Sequence, residues 1–278
     1  MNSFLLILLF IFSGLFSGPG PRELTFSNPT AEIPLEYVDL VSLDTRDQIF
    51  ASNTSGDVYL YDKNGKQLNL YSPVNQGRLH QLEASWTVNI FTFSADLQEY
   101  RIMDRFLNEL SNRQFFSSGI NLPKAATLGN NNIIWAWDES DLSLKRLNYL
   151  QNQIIQSQPL NLILESENLT VSEIREFKNR LFMNVPESGI YIFDNQGNFL
   201  QKVNLRIDQR LCFYRENLFW VEGKKLKMYS LGLKAIFDVG VLPSEGVHYL
   251  QIGQEIITFV KEDRIEIYPL PEGLKYIN

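Results

Sequence analysis

Carboxylates recur at the turns of this 278-residue chain in a pattern that could hold a cation or steer a basic partner. They are Asp57, Asp96, the group Asp138, Glu139 and Asp141, then Glu187, Glu222, and the pair Glu262 and Asp263. Clustered oxygens are the ligands of Ca²⁺, but that ion takes about six to eight of them, more than the 138–141 group supplies. The same side chains are ordinary turn residues that bond their own backbone, and Lys224, Lys225, Lys261 and Arg264 offset part of their field. Asp44, Asn89, Asn132 and Glu173 fall near strand ends, where a ring-shaped fold could turn them toward its axis. His80 and His248 stand 168 residues apart, and the single Cys212, between Leu211 and Phe213, reads as a small buried apolar residue.

Recognised catalytic patterns are missing. The chain has no G-x-S-x-G, H-E-x-x-H, G-x-x-x-x-G-K-[ST] or G-x-G-x-x-G, and no S-x-D-x-G-x-T-W box. One cysteine cannot form an intrachain disulfide. A net charge of −7 argues against nucleic acid as a partner, and 44% hydrophobic residues are enough to bury a sizeable core.

The elements that would position these residues begin after an apolar N-terminus. Residues 4 to 16, FLLILLFIFSGLF, form a run of 13 followed by the breaker-rich GPGPRE. A spanning helix needs about 20 apolar residues, whereas this length suits a secretory signal cleaved after Ser17. The expected organisation is a signal peptide over 1–17, a lead-in over 18–36 in which Leu24 to Ser27 closes a sheet, and a folded domain over 37–278. The mature protein would then be exported to the periplasm, the outer-membrane surface or the outside of the cell, with no remaining membrane span.

From residue 37 onward, short β-branched and aromatic runs alternate with Gly, Asn, Asp and Ser, which predicts an all-β fold. Six paired runs align: QIFASNTSGDVYLYD (48–62), NIFTFSADLQEYR (89–101), NIIWAWDESDLSLKRL (132–147), RLFMNVPESGIYIFD (180–194), NLFWVEGKKLKMYS (217–230) and EIITFVKEDRIEIYP (255–269). Tyr61, Tyr100, Leu147, Phe193, Tyr229 and Tyr268 mark one repeat position, about 41 residues apart. An apolar run before and after each pair makes four strands per unit. Six such units predict a six-bladed β-propeller of four-stranded antiparallel blades.

The segments VYLYDKNGKQL (58–68) and IYIFDNQGNFL (190–200) carry a strand, an Asp-x-x-Gly turn and a strand. In this they resemble the NHL-type six-bladed propellers, and the resemblance implies the ring architecture without implying an activity.

In a four-stranded blade the turn between the second and third strands opens on the same face as the connection to the next blade. Counted from Tyr100, the repeat is longest around blades 2 to 4, which places extra chain at 102–122 and 161–172. Met103, Phe106, Leu107 and Leu110 have the i, i+3, i+4, i+7 spacing of two helical turns and predict an apolar lip. Trp135, Trp137 and Trp220 fit inter-blade packing, with Trp220 aligned on Trp135, while Trp86 precedes a strand and is free for a surface role. The reading is a monomeric, exported, non-enzymatic module that binds another protein of the cell envelope, with no cofactor. Its candidate binding residues are Phe106, Leu107, Leu110, Trp86, Asp138, Glu139 and Asp141. The alternative is a channel-centred hydrolase or carbohydrate-binding propeller that uses carboxylates and calcium.

Overall fold

A computed structural model describes residues 24–84, 88–164 and 170–277. Among these, 24 strands form six separate four-stranded antiparallel sheets. Blade 1 is Val38–Leu43, Ile49–Asn53, Val58–Tyr61 and Gln67–Tyr71, and blade 2 is Gln81–Glu83, Asn89–Ser94, Glu99–Asp104 and Glu109–Gln114. Blade 3 is Pro123–Leu128, Ile133–Asp138, Ser143–Asn148 and Gln153–Pro159, and blade 4 is Glu173–Phe177, Arg180–Val185, Gly189–Asp194 and Phe199–Val203. Blade 5 is Cys212–Tyr214, Asn217–Glu222, Lys225–Ser230 and Ala235–Val241. Blade 6 takes Tyr249–Ile252, Ile256–Val260 and Arg264–Pro269 from the C-terminal end of the chain and Ala31–Pro34 from the N-terminal end.

That shared blade closes the ring, with Ala31 opposite Ile267 and Pro34 opposite Arg264. The closing strand lies seven residues beyond Leu24, the start of the segment expected to do this. Leu24 instead makes a single parallel bridge to Gly240 on blade 5. The physical reason is composition: Ala31–Pro34 presents Ile33, 1% exposed, to the seam with blade 1, whereas Leu24 and Phe26 pack on the seam between blades 5 and 6. The expected signal segment, 1–17, lies outside the described residues.

The apolar core is divided into six clusters, one between each adjacent pair of blades. Strands are therefore apolar on both sides, and only the outer ones alternate toward solvent, as Gln153–Pro159 does. Trp135 and Trp137 face blade 4, while Trp220 faces blade 4 from the other side, in the cluster between blades 4 and 5. Trp220 therefore matches Ala136, one residue along from the expected Trp135, because the second strands of blades 3 and 5 begin at Ile133 and Asn217.

One turn recurs between third and fourth strands. Asp62 Oδ1 accepts the N–H groups of Asn64 and Lys66, Asp104 those of Phe106 and Asn108, and Asp194 those of Gln196 and Asn198. The fourth residue takes the left-handed conformation: Gly65 at φ +80°, Gly197 at +83°, and Leu107 at +67°. The expected helix over 103–110 is thus a hairpin turn, since Asp104 commits its backbone to the same side-chain bonds as the two Asp-x-x-Gly turns. Met103, not Tyr100, is the counterpart of Tyr61 and Phe193. From Met103 to Leu147 is 44 residues, so part of the apparent insertion after blade 2 was a three-residue difference in register.

Candidate functional site

The strand order gives the disc two distinct faces. The connection face carries the turns between second and third strands and the links from each blade to the next. The hairpin face carries the remaining turns.

At the hub, the inner strands of four blades meet in a polar network. Glu83 of blade 2 accepts hydrogen bonds from Gln81 Nε2, from Thr127 Oγ1 of blade 3 at 2.6 Å, and from the Leu128 N–H at 3.2 Å. Arg175 of blade 4 donates to Glu173 Oε1 through Nη2 at 2.8 Å and Nε at 3.1 Å, and its Nε lies 3.7 Å from Glu83. Arg210, leading into blade 5, donates to the His80 carbonyl at 2.6 Å and stands 3.9 Å from Glu173. The Leu211 N–H donates to the second Glu173 oxygen at 2.9 Å.

Glu83, Glu173 and Arg175 are all buried. Burial pushes the Glu83 carboxyl above its ordinary range, opposed by Arg175 and by the Gln81 and Thr127 hydrogen bonds. Both carboxylates therefore have protein donors, and their pairing with arginine ties four blades together across the axis. Of the residues expected near the axis, Glu173 is in this network. Asp44 caps a turn on the hairpin face through the Arg46 and Gln48 N–H groups, Asn132 accepts the Tyr149 hydroxyl at 3.1 Å, and Asn89 stands opposite Asp104 at the end of the two central strands of blade 2. The hub network has a sequence signal in hindsight: polar pairs two apart, Gln81 with Glu83 and Glu173 with Arg175, inside otherwise apolar inner strands.

The acidic group of blade 3 is divided by its surroundings. Asp138 is fully buried and accepts the N–H groups of Asn121 and Leu122 at 3.0 Å, the Ser140 hydroxyl at 2.7 Å and Lys145 Nζ at 2.6 Å. Burial alone would raise its pKa; the Lys145 and Ser140 bonds, with the two backbone donors, outweigh it and hold the carboxyl at about 2. Asp141 lies 2.8 Å from the same ammonium, while Glu139 is partly exposed and 3.9 Å from Lys124. Asp138 thus fixes the link between blades 2 and 3. Among the described residues, no group of three or more His, Cys, Asp or Glu side chains is arranged to hold a metal ion.

His80 is held neutral: burial, aided by Arg210 and Arg78, lowers its pKa against the pull of Asp96, and its Nδ1 accepts the Ala95 N–H at 3.1 Å. Cys212 is buried, with its thiol pushed up to about 12 by that burial.

The candidate binding residues on the 103–110 segment lie on the hairpin face, opposite the links at 115–122 and 160–164 with which they were expected to form one lip. Leu107 is buried in the seam between blades 1 and 2. Phe106 and Leu110 are exposed, with the Arg105 guanidinium over the Phe106 ring at 4.9 Å. Trp86 lies outside the described residues, as does part of the 161–172 segment.

The connection face carries an apolar set of which Phe116 and Leu162 fall within the expected segments 102–122 and 161–172, while Tyr37 and Val74 lie in short links that carried no such signal. Tyr37, Val74, Phe116 and Leu162 sit in four consecutive links, from blade 6 to 1, 1 to 2, 2 to 3 and 3 to 4, and are 68%, 101%, 71% and 93% exposed. The intervening turns contribute Asp57, Asp96, Glu139 and Asp141. Arg78, the base within these links, is clamped by Asp39 through two bonds of 2.8 and 2.9 Å.

No helix among the described residues is long and apolar enough to cross a membrane. No family model matches the chain, and no curated protein matches its sequence. Solved structures do match in shape. The WD40 domain of Neurospora crassa Pan2 superposes with a TM-score of 0.66 at 8% identity, covering 90% of this chain and 97% of that one. The β-propeller domain of Myceliophteria thermophila Cps50 (Swd1) gives 0.60 at 11% identity, covering 87% and 99%. A chain of the mitotic checkpoint complex gives 0.57 at 10% identity, covering 97% and 99%. At these identities the likeness is one of fold: the chain is a six-bladed β-propeller similar in architecture to WD40-type domains.

Proposed function

We propose that this chain is a non-catalytic docking propeller that binds a protein partner on its connection face. The observation that carries the reading is the run of four consecutive blade links, each carrying one large exposed apolar side chain: Tyr37, Val74, Phe116 and Leu162. Single exposed apolar residues are normal on protein surfaces, but a succession on one face of a disc offers the anchors around which protein interfaces form. The flanking carboxylates supply a polar rim. The hub supports a structural role, because its carboxylates are already bonded to arginine, threonine and backbone donors. A neighbour in shape is a chain of the mitotic checkpoint complex.

The apolar run at 4–16 supports export, which makes the partner a protein of the cell envelope or the outside and leaves the mature propeller a monomer until it docks. The Asp-x-x-Gly turns at Asp62 and Asp194 support kinship with NHL-type repeats.

Site-specific photo-crosslinking in cells tests the docking reading. Crosslinkers at Phe116 and Leu162 are expected to capture one and the same protein, while those at Leu150 and Leu233, on the hairpin face, do not. Capture of that protein from the hairpin face alone would overturn it.

A further inference from the structure

The apolar tips of the connection face stand in a field of one sign. The turns between second and third strands of blades 1 to 4 hold Asp57, Asp96, Glu139, Asp141 and Glu187 and no lysine, arginine or histidine, whereas those of blades 5 and 6 hold Lys224 and Lys261. The link into blade 1 adds Glu36, exposed beside Tyr37. These are the blades that the links carrying Tyr37, Val74, Phe116 and Leu162 lead into, so the acidic turns and the apolar tips share one sector of the disc.

Bases of the same sector do not cancel this charge. Arg78 is clamped by Asp39 at 2.8 Å, Lys124 lies 3.9 Å from Glu139, and the Lys145 side chain, 6% exposed, is held between Asp138 and Asp141. Arg113 is half-buried in the outer strand of blade 2. Glu36 and Asp96 are exposed and make no hydrogen bond or ion pair among the described residues, and the Asp57 carboxylate accepts from the neutral side chains of Asn53 and Ser72, which leave its charge uncompensated. Charges around an apolar contact act on encounter and on selectivity: they draw in the opposite sign and turn away the like sign. The stems of lysine and arginine also cover apolar surface while their heads reach a carboxylate.

We infer that the partner segment taken by this face is cationic, with apolar residues against Tyr37, Val74, Phe116 and Leu162 and interspersed lysine or arginine over the carboxylates of blades 1 to 4. The inference rests on the docking reading above and adds the chemistry of the partner.

Fluorescence anisotropy on the full protein tests it with three labelled peptides of one length, each with Leu and Phe at alternate positions and Lys, Gln or Glu at the others. The Lys peptide is expected to bind saturably and at least about tenfold tighter than the Gln peptide, with the Glu peptide weakest. Its affinity should fall at least about threefold between about 50 and 300 mM salt, as screening shortens the reach of surface charges. The triple variant Glu36→Gln, Asp96→Asn and Glu139→Gln is expected to lose about fivefold or more. Glu216→Gln, Glu255→Gln and Glu272→Gln on the hairpin face make the same change in net charge and should leave the affinity unchanged. Photo-crosslinkers at Phe116 and Leu162 should capture the Lys peptide, and those at Leu150 and Leu233 should not. No saturable binding of the Lys peptide, equal affinity for the Lys and Gln peptides, equal losses in the two triple variants, or capture from the hairpin face would overturn the inference. The peptide comparison uses the unchanged protein, so it decides even if a variant fails to fold. The docking reading fails separately, through capture of the cellular partner from the hairpin face alone.

Discussion

Arg175 Nε of blade 4 lies 3.7 Å from Glu83 Oε1 of blade 2, so two blades that are not neighbours are joined through the axis of the ring. Propeller blades meet their neighbours through apolar seams, and this ion pair, with the Arg210 bond to the His80 carbonyl, adds a cross-brace where the seams converge. Both groups are buried, so removing one partner leaves the other charged in a poorly solvated site. Arg175→Met is expected to destabilise the protein by about 3–5 kcal/mol in urea unfolding. The double variant Arg175→Met with Glu83→Gln should recover part of that loss. A single-variant effect below about 1 kcal/mol would remove the brace from the account.

Asp138 makes a pH-dependent contribution. Its folded pKa, about 2, lies below the ordinary value of 3.8, so its stabilisation is fully present above about pH 4 and is lost as pH falls toward 2. The shift corresponds to about 2 kcal/mol. Asp138→Asn is expected to cost at least that at pH 7, because Lys145 loses its buried partner, and to flatten the stability profile between pH 4 and 2. Parallel profiles for the two proteins over that range would contradict the assignment.

At Leu107 two effects oppose each other. Its left-handed backbone, φ +67°, costs a branched residue about 1–2 kcal/mol, whereas burying its side chain between blades 1 and 2 contributes about 2–3 kcal/mol. Burial wins. Leu107→Gly is therefore expected to lose about 1–2 kcal/mol rather than gain stability as glycine does at an exposed turn of this type. Denaturant melts that show a gain would mean the side chain contributes little to the seam.

Ring closure rests on Ile33, 1% exposed in the short N-terminal strand. Ile33→Ala is expected to cost about 2–5 kcal/mol. Hydrogen exchange should then accelerate first in Arg264–Pro269, the strand it pairs with. Equal acceleration in all six blades would argue against a local clasp.

Much of this architecture was legible in the sequence for a physical reason. Strands packed on both sides are continuous apolar runs, and aromatics such as Tyr61, Phe193 and Tyr268 recur where each wedge needs filling. The Asp104 turn was hidden because the expected glycine is Leu107, and the aspartate rather than the glycine is what the three turns share. Phe106 and Leu110 mimicked a helix because a strand, a four-residue turn and a strand happened to place apolar residues at helical spacing. Of the hub, only Glu173 was legible, because its charges come from two inner strands of blades 2 and 4 that only the closed ring brings together, setting Glu83 beside Arg175 and Glu173. Of the exposed tips, Phe116 and Leu162 were bracketed by the long segments 102–122 and 161–172, whereas Tyr37 and Val74 escaped because one apolar residue in a short link has no period.

The central claim is that the connection face is where this propeller acts, and it is tested most directly by the affinity of the crosslinked partner, once purified, for a triple variant. Val74→Ser, Phe116→Ser and Leu162→Ser together replace three exposed side chains, so the melting temperature should hold within about 2 °C of the parent. The account predicts a dissociation constant at least about tenfold weaker for this variant and unchanged for Leu150→Ser with Leu233→Ser on the hairpin face. Parent-like affinity in the triple variant, or a loss confined to the hairpin-face pair, would contradict it.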